Sequence, residues 1–233
     1  MISKPRAGLS AVDATPLHEK VYLEIVRALM SGRFSPGQKL TSRKLAKELN
    51  TSDMPVRSAL LRLQSLRVLS VQPNGTMEVP QMTAENLRQL METRQVIEGA
   101  ATELAATRMN GNHLRTLRRH CAELTEAARA GDIDAYLRKN FDYKFSIYRN
   151  CGNEPMIFLI ETLWMQVGPF LRNFVEVFEG DISGILEIDY HDEAIAAIEA
   201  KDGARARELI VRDIREGAEY LLEKAPFYDP EEA

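Results

Sequence analysis

Lysine and arginine side chains dominate the charge of the N-terminal third of this chain, and their chemistry is the neutralisation of phosphate groups. Residues 1–80 contain 12 Lys and Arg against 6 Asp and Glu, a net charge of +6. Residues 81–233 contain 18 against 28, a net charge of −10. A basic part joined to an acidic remainder is typical of a phosphate-binding module attached to a part with another role.

Two short helices are predicted in the stretch that would position these basic side chains. In the first of them, Ser42 is expected to cap a helix with apolar residues at Leu45, Ala46 and Leu49. Residues 50–52 break the period. A second helix is then expected to begin at Ser52 or Asp53, with Pro55 tolerated in its first turn because a missing N–H costs nothing there. Its buried positions would be Val56, Leu60 and Leu63.

A β-hairpin is predicted directly after these helices. Alternating apolar residues at Leu69 and Val71, and again at Met77 and Val79, flank Pro73-Asn74-Gly75. An Asn-Gly pair between two such runs is a strong hairpin signal. Helix, turn, helix and hairpin together indicate a winged helix-turn-helix, whose second helix could enter the major groove of DNA.

This stretch resembles the DNA-binding domain of the GntR family of bacterial transcription regulators. The matching pieces are GRFSPGQKL (Gly32–Leu40), SRKLAKEL (Ser42–Leu49), Ser52 with PVRSALLRL ending at Leu63, and the wing glycine Gly75. The resemblance implies contacts with double-stranded operator DNA early in one helix, at the start of the recognition helix and at the wing tip. The implied residues are Arg43, Ser52, Asp53, Met54, Pro55, Arg57 and Gly75.

Two residues depart from the family pattern. Asp53 stands where many relatives have arginine, and a carboxylate there repels phosphate. It would either accept a hydrogen bond from cytosine N4 or another donor, or cap the helix, which is the preferred interpretation. Arg67 replaces a common glycine before the wing, so the turn there is expected to differ. Arg62 and Arg67 are expected to contact phosphates or to lie in solvent.

From Thr83 to Phe227 the sequence is helical in period and predicts an all-α bundle. Helices are expected at about 83–110, 113–130, 133–150, 154–179, 182–200 and 203–224, and Gly168-Pro169 is expected to kink or divide the fourth. The predicted organisation is a flexible arm at 1–15, a DNA-binding domain at 16–80 whose first helix spans Leu17–Ser31, and an effector-binding and dimerisation domain at 83–228.

The bundle resembles the FCD ligand-sensing domain that follows the winged helix in one GntR subfamily. The matching pieces are ETRQVIEGAATELAA (Glu92–Ala106), FDYKFSIYRNCGN (Phe141–Asn153) and HDEAIAAIEAKDGARARELI (His191–Ile210). The resemblance implies a homodimeric regulator, most often a repressor, that responds to a small organic acid such as a sugar acid or another carboxylate.

Many FCD domains hold a divalent metal, and the resemblance implies where its ligands would lie. Asp142 and His191 match two ligands, but the positions of two family histidines hold Ser146 and Asp213. Serine is a poor ligand for such an ion at neutral pH. Two possibilities stay open. Asp142, His191 and Asp213 could form an oxygen-rich site for one ion such as Zn, Ni, Mn or Mg, or the domain could hold no metal.

Arg94 matches an arginine that faces the effector cavity in several relatives, where it can hold a carboxylate through two hydrogen bonds. The alternative is a surface arginine paired with Glu98 one helical turn later. The full set of effector-binding residues implied by the resemblance is Arg94, Asp142, Ser146, His191 and Asp213.

Other classes of protein are disfavoured. No run of about 18 apolar residues could span a membrane, and residues 1–15 lack the apolar core of a secretory signal. Cys121 and Cys151 show no metal-ligand or disulfide pattern, which fits a reducing cytoplasm. An enzyme with a hydrolytic metal is the runner-up, although no nucleophile motif, phosphate loop or HExxH is present. A DNA-architectural protein with an inert bundle is the third hypothesis.

Overall fold

The computed structural model describes residues 16–178 and 181–229. The arm predicted at 1–15 lies outside the described residues, as does Glu179, where the fourth helix of the bundle was expected to end. The N-terminal domain, called the head below, contains helices α1 (Leu17–Met30), α2 (Ser42–Glu48) and α3 (Asp53–Ser65), and strands β1 (Lys39–Leu40), β2 (Ser70–Val71) and β3 (Met77–Glu78).

The start of α2 differs from the prediction by one residue. Thr41 is the N-cap, and its hydroxyl accepts a hydrogen bond from the Lys44 N–H, whereas Ser42 is the first helical residue. Both residues can cap a helix, so their types alone could not distinguish the two positions. The core of the head forms where α1 packs on α3, with Leu29, Val56 and Leu63 fully buried.

The predicted hairpin is confirmed as the wing. Strands β2 and β3 pair antiparallel, with Val71 opposite Met77, and Gly75 in the connecting turn has a φ of +80°. Glycine adopts this left-handed conformation without steric cost. Strand β1 pairs with the other side of β3 as a third strand. It was not predicted, because a strand of two residues is too short to show an alternating pattern. Arg67, at which the turn before the wing was expected to differ, has a φ of +58°.

The C-terminal domain, called the body below, is the predicted all-α bundle. Its helices are α4 (Ala84–Arg108), α5 (Gly111–Arg129), α6 (Ile133–Tyr148), α7 (Glu154–Leu171), α8 (Phe174–Val177), α9 (His191–Glu199) and α10 (Gly203–Lys224), with a 3₁₀ helix at Ile182–Glu187. Thr83 caps α4 as predicted. Among the described helices, none is both long and apolar enough to cross a membrane.

Several helix boundaries in the body correct the predictions, and the helix expected at 182–200 is a 3₁₀ helix (Ile182–Glu187) followed by the separate α9 (His191–Glu199). Helix α5 begins at Gly111, since the Asn110 side chain accepts from the N–H groups of Asn112 and His113. Helix α7 is not divided at Gly168-Pro169 but continues to Leu171. A proline inside a helix removes one N–H donor and its ring crowds the carbonyl four residues earlier. Pro169 is only two residues from the end of α7, so few helical residues follow it.

Head and body meet where α1 crosses α7. A Cβ atom at Gly168 would lie 2.9 Å from the Met30 Cα and closer still to the Leu29 carbonyl oxygen, so only glycine permits this approach. The Arg172 guanidinium joins the domains as well. It donates to the Gly32 carbonyl in the head and to the Asp134 carboxylate in the body, both at 2.8 Å.

Candidate nucleic-acid interface and effector site

The DNA-binding residues predicted from the sequence lie on the exposed side of the head. Arg43 on α2 and Arg57 on α3 are exposed, and Met54 has 69% of its surface accessible. Arg57 lines a groove of about 470 Å³ together with Thr41, Ser42 and the wing tip at Asn74-Gly75. The groove therefore brings the recognition helix, the start of α2 and the wing together, as the predicted motif requires.

The arginines of the head differ in what their charges contact. Within the described residues, Arg43 and Arg57 make no ion pair or side-chain hydrogen bond. Arg62 instead donates to Glu19 at 3.0 Å, and its guanidinium carbon lies 3.7 Å from the centre of the Tyr22 ring. Arg62 thus joins α3 to α1 while its side chain stays half exposed, and its role as a phosphate contact or solvated surface charge stays a prediction. Arg43 and Arg57 keep their donors available.

Asp53 is the first residue of α3, and Ser52 occupies the N-cap position. The preferred interpretation of Asp53 as the helix cap is wrong, because neither side chain makes a capping hydrogen bond in this structure. Asp53 Oδ1 is buried and has no hydrogen-bond partner among the described residues, and the neighbouring Thr51 hydroxyl is in the same state. A negative charge in the first turn is still favourable to the helix dipole.

Inside the body, Arg94 lies in a hydrogen-bonded cluster around Glu98. Arg94 has 4% of its surface accessible and Glu98 none, and Arg94 Nε donates to Glu98 Oε1 at 2.6 Å. The Tyr148 hydroxyl donates to Oε2 at 2.5 Å and the Trp164 indole to Oε1 at 3.0 Å. Arg94 is therefore paired with Glu98, as the alternative interpretation held, but in the interior and not on the surface.

The surroundings of Tyr148 in this Glu98 cluster change the pKa of its hydroxyl. Burial, and then the adjacent Glu98 carboxylate, hold the pKa of Tyr148 well above its ordinary value. Tyr148 consequently stays a hydrogen-bond donor to Glu98 at any physiological pH. The guanidinium of Arg94 also lies over the Trp164 ring, 4.7 Å from its centre, so that both the charge and the face of Arg94 have intramolecular partners.

A second buried cluster contains two of the predicted metal or effector residues, His191 and Asp213. The Lys144 ammonium pairs with Asp213 Oδ2, and His191 Nε2 lies 3.5 Å from Oδ1. Burial alone would raise the pKa of Asp213, but attraction from Lys144, His191 and Arg94 outweighs it and holds this pKa below its usual value. Asp213 is therefore a carboxylate balanced by cations of the protein itself.

His191 is the least satisfied side chain of this cluster. It has 3% of its surface accessible, and neither ring nitrogen makes a hydrogen bond to a described residue. The Asp189 carboxylate is 3.4 Å from Nδ1, without hydrogen-bond geometry. The ring packs against Tyr143 with centroids 4.4 Å apart, and the Tyr143 hydroxyl donates to the His191 carbonyl. A buried polar group without partners is unusual, which makes His191 a candidate for contact with a ligand.

The predicted metal-ligand set does not assemble in the described part of the chain. His191 and Asp213 come together, but Asp142 makes no hydrogen bond or ion pair with either. The Ser146 hydroxyl donates to the Tyr143 carbonyl of its own helix at 2.7 Å. No group of three or more His, Cys, Asp or Glu side chains among the described residues is placed to hold a metal ion. The residues present therefore do not fit the family's metal.

Sequence reasoning missed Lys144, Tyr148 and Trp164 as members of these clusters, and it weighed Glu98 only as a surface partner. Lys144 stands between Asp142 and Ser146 in the very segment compared with the family, but a lone lysine in an amphipathic helix gives no signal of burial. Its sequence neighbours Tyr143 and Phe145 are buried as well, but adjacent residues of a helix point to different sides, so they do not predict the burial of Lys144.

The chain matches two family models and several individual relatives. The model for "Bacterial regulatory proteins, gntR family" matches residues 17–79, and the FCD domain model matches residues 89–216. The HTH-type transcriptional regulator McbR of Escherichia coli is 28% identical over 218 residues, which cover 93% of this chain and 98% of that protein. The solved structure of E. coli McbR/YncC has a TM-score of 0.83 at 27% identity, covering 90% and 98% of the two chains.

Two further relatives carry the name of repressors. A protein of Paenarthrobacter nicotinovorans called "Probable D-xylose utilization operon transcriptional repressor" is 24% identical over 190 residues, 82% of each chain. The gluconate operon transcriptional repressor of Bacillus licheniformis is 25% identical over 207 residues, 84% of this chain and 80% of that one. The similarity in both cases spans head and body.

Proposed function

The chain belongs to the gntR family of bacterial regulatory proteins, with an FCD domain after its DNA-binding domain, and we propose that it is a repressor released from operator DNA by a small organic acid. It is a DNA-binding transcription regulator and not an enzyme, like the relatives it matches. Two of those relatives are named as repressors, one of them of a gluconate operon, which supports both repression and a carboxylate effector.

The observation that carries the DNA contact is the pair of arginines Arg43 and Arg57, which have no partner among the described residues and lie beside a wing tip with an exposed glycine. Arginine can donate two hydrogen bonds to a guanine edge or one charge to a phosphate. A Cβ added at Gly75 would meet no atom within 4 Å, so the tip is open for the backbone of a nucleic acid. These groups lie around one groove, which gives the head a single DNA-binding side.

We extend the proposal to a homodimer on a palindromic operator. One head offers one recognition helix, α3, which reads one half-site. Two copies related by a two-fold axis would place their recognition helices in half-sites about 34 Å apart, one turn of DNA.

The effector is proposed to bind beside His191. Both ring nitrogens of this buried side chain lack hydrogen bonds among the described residues, so His191 could donate a hydrogen bond to a carboxylate. Asp142, Ser146 and Asp213 complete the set of residues proposed around the effector. Because Arg94 is paired with Glu98 and Lys144 with Asp213, the effector could bind either cation only by competing with these partners.

Selection from random duplexes followed by a salt titration tests DNA binding. We expect enrichment of a palindrome, and a loss of affinity of about 10³-fold between 50 and 200 mM salt, because several phosphates are contacted. A flat salt response would contradict the DNA-binding proposal. A panel of sugar acids and other small carboxylates is then added to the complex. Release of DNA by one of them supports the effector proposal, and no release by any member would favour the architectural hypothesis.

Signal transfer between effector and DNA is proposed to pass through the contact of α1 with α7. An effector shifts the heads only if it binds two arrangements of head and body with different affinity. The close approach at Gly168 and the Arg172 bridge are the contacts that would have to change. Helix α7 also supplies Trp164 to the Glu98 cluster, which links the interior to this contact.

Gly168→Ala is expected to force α1 and α7 apart and to uncouple effector binding from DNA release. Overpacking of this kind costs about 1–3 kcal/mol, which should lower Tm by several degrees. Gly217→Ala on α10 is the matched control, because its Cβ would meet only Phe174 at an ordinary 3.7 Å. Calorimetry and effector-dependent DNA release are the measurements. Equal behaviour of the two variants would exclude the α1–α7 contact as the coupling element.

A further inference from the structure

Lys144 is a buried lysine in a family of domains that often contains a metal. It has 2% of its surface accessible and pairs with the Asp213 carboxylate, far away in the sequence on α10. Burying an ammonium group is costly unless an anion and hydrogen bonds compensate it. A buried lysine therefore needs an anionic partner. That partner is Asp213, which matches a metal-ligand position of the family and lies close to His191.

We propose that the ammonium of Lys144 is the resident cation of the body, tethered to α6 beside His191 and Asp213, so that the domain is built around a lysine in place of a divalent ion. The positive charge that balances Asp213 is then covalently attached to the chain. Asp213 and Ser146, which stand where the family has metal-binding histidines, then have one explanation. Asp213 needs to be an anion, because it pairs with an ammonium, and Ser146 is free to bond its own helix because no ion requires a ligand there.

The geometry also indicates why a divalent ion would be excluded while Lys144 is present. Asp213 Oδ2 is taken by the ammonium, and Oδ1 faces His191 Nε2 at 3.5 Å. An added ion at this place would lie next to a fixed positive charge, and no group of three or more His, Cys, Asp or Glu side chains of the described residues is placed to hold it. Repulsion between like charges in a poorly solvated interior is strong.

The first test measures the metal content and metal response of the untagged full-length protein. We expect far less than one Zn, Ni, Mn or Mg ion per chain, no change in Tm on adding EDTA, and no rise in Tm on adding Zn²⁺, Ni²⁺ or Mn²⁺, since a ligand that binds the folded state would raise it. Stoichiometric metal, or a Tm that EDTA lowers, would overturn the proposal.

The second test removes the charge. Lys144→Met should leave Asp213 buried without its cation and lower Tm by roughly 10 °C. The matched control is Lys139→Met on the same helix, where the lysine pairs with Glu123 at 2.7 Å but is about one-third exposed, and where a shift of a degree or two is expected. Equal Tm values for the two variants would overturn the proposal.

A double variant separates the loss of charge from a general loss of packing. Lys144→Met combined with Asp213→Asn removes both charges and should recover much of the Tm that Lys144→Met alone loses. If the two losses in Tm simply add, Lys144 and Asp213 do not act as a charge pair, and the assignment of Lys144 as the balancing cation is wrong.

Discussion

Arg57→Ala is expected to reduce affinity for the specific operator by about 100-fold or more, while binding to unrelated duplex DNA at low salt falls only slightly. A bidentate contact to a base is worth about 1–3 kcal/mol, and a homodimer would lose it in both half-sites. Arg57 is exposed, makes no ion pair among the described residues and lines the groove shared with the wing. Removing it should therefore leave folding and effector binding intact. Fluorescence anisotropy with operator and scrambled duplexes is the measurement.

Arg62→Ala on the same helix is the control. It removes the same positive charge, but the Arg62 guanidinium is already paired with Glu19 and lies over the Tyr22 ring. Its operator affinity should fall by only a small factor, with a modest loss of stability from the broken contact. If both variants lose operator affinity equally, then net positive charge and not base contact explains the role of Arg57, and α3 would no longer be supported as the recognition helix.

The head could be predicted in detail because its signals are local. The Asn74-Gly75 turn needs a left-handed glycine, and that requirement is visible in two adjacent letters. The apolar period of α3 likewise appears within 13 residues. What failed were choices between adjacent residues of similar type, such as Thr41 against Ser42. The short strand β1 also escaped prediction, because its pairing with β3 is a tertiary contact.

The interior of the body could be predicted only in part, because its charges are balanced across helices. The helical spacing of the sequence placed Glu98 and Arg94 one turn apart, but it could not show that both side chains face the core. Their burial depends on hydrogen bonds from Tyr148 and Trp164, which are 50 and 66 residues away from Glu98. Resemblance to the family pointed to His191 and Asp213, which lie close together in the structure, but not to the lysine beside them.

The two buried clusters share one design. In each, an arginine or lysine of the chain meets a carboxylate of the chain: Arg94 with Glu98, and Lys144 with Asp213. A buried ion pair adds little net stability compared with apolar residues, but breaking one half is strongly destabilising. The interior should accordingly tolerate the loss of a whole pair better than the loss of one partner.

Glu98→Gln is expected to be among the most destabilising conservative substitutions in the body, lowering stability by about 3–5 kcal/mol and Tm by roughly 10 °C. Three donors converge on the Glu98 carboxylate, from Arg94, Tyr148 and Trp164. Glutamine keeps the shape but offers a single acceptor oxygen and no charge. The guanidinium of Arg94 would stay buried without an anion, and one of its N–H groups would face the amide NH₂.

Glu103→Gln provides the comparison, since Glu103 lies on the same helix and pairs with Arg207 at 3.0 Å on the surface. Exposed pairs contribute about 0–1 kcal/mol, so this variant should unfold close to wild type in urea. Arg94→Met with Glu98→Leu should be more stable than Glu98→Gln, because no unpaired charge remains inside. Were Glu98→Gln as stable as Glu103→Gln, the convergence of donors on Glu98 would not be what stabilises the interior.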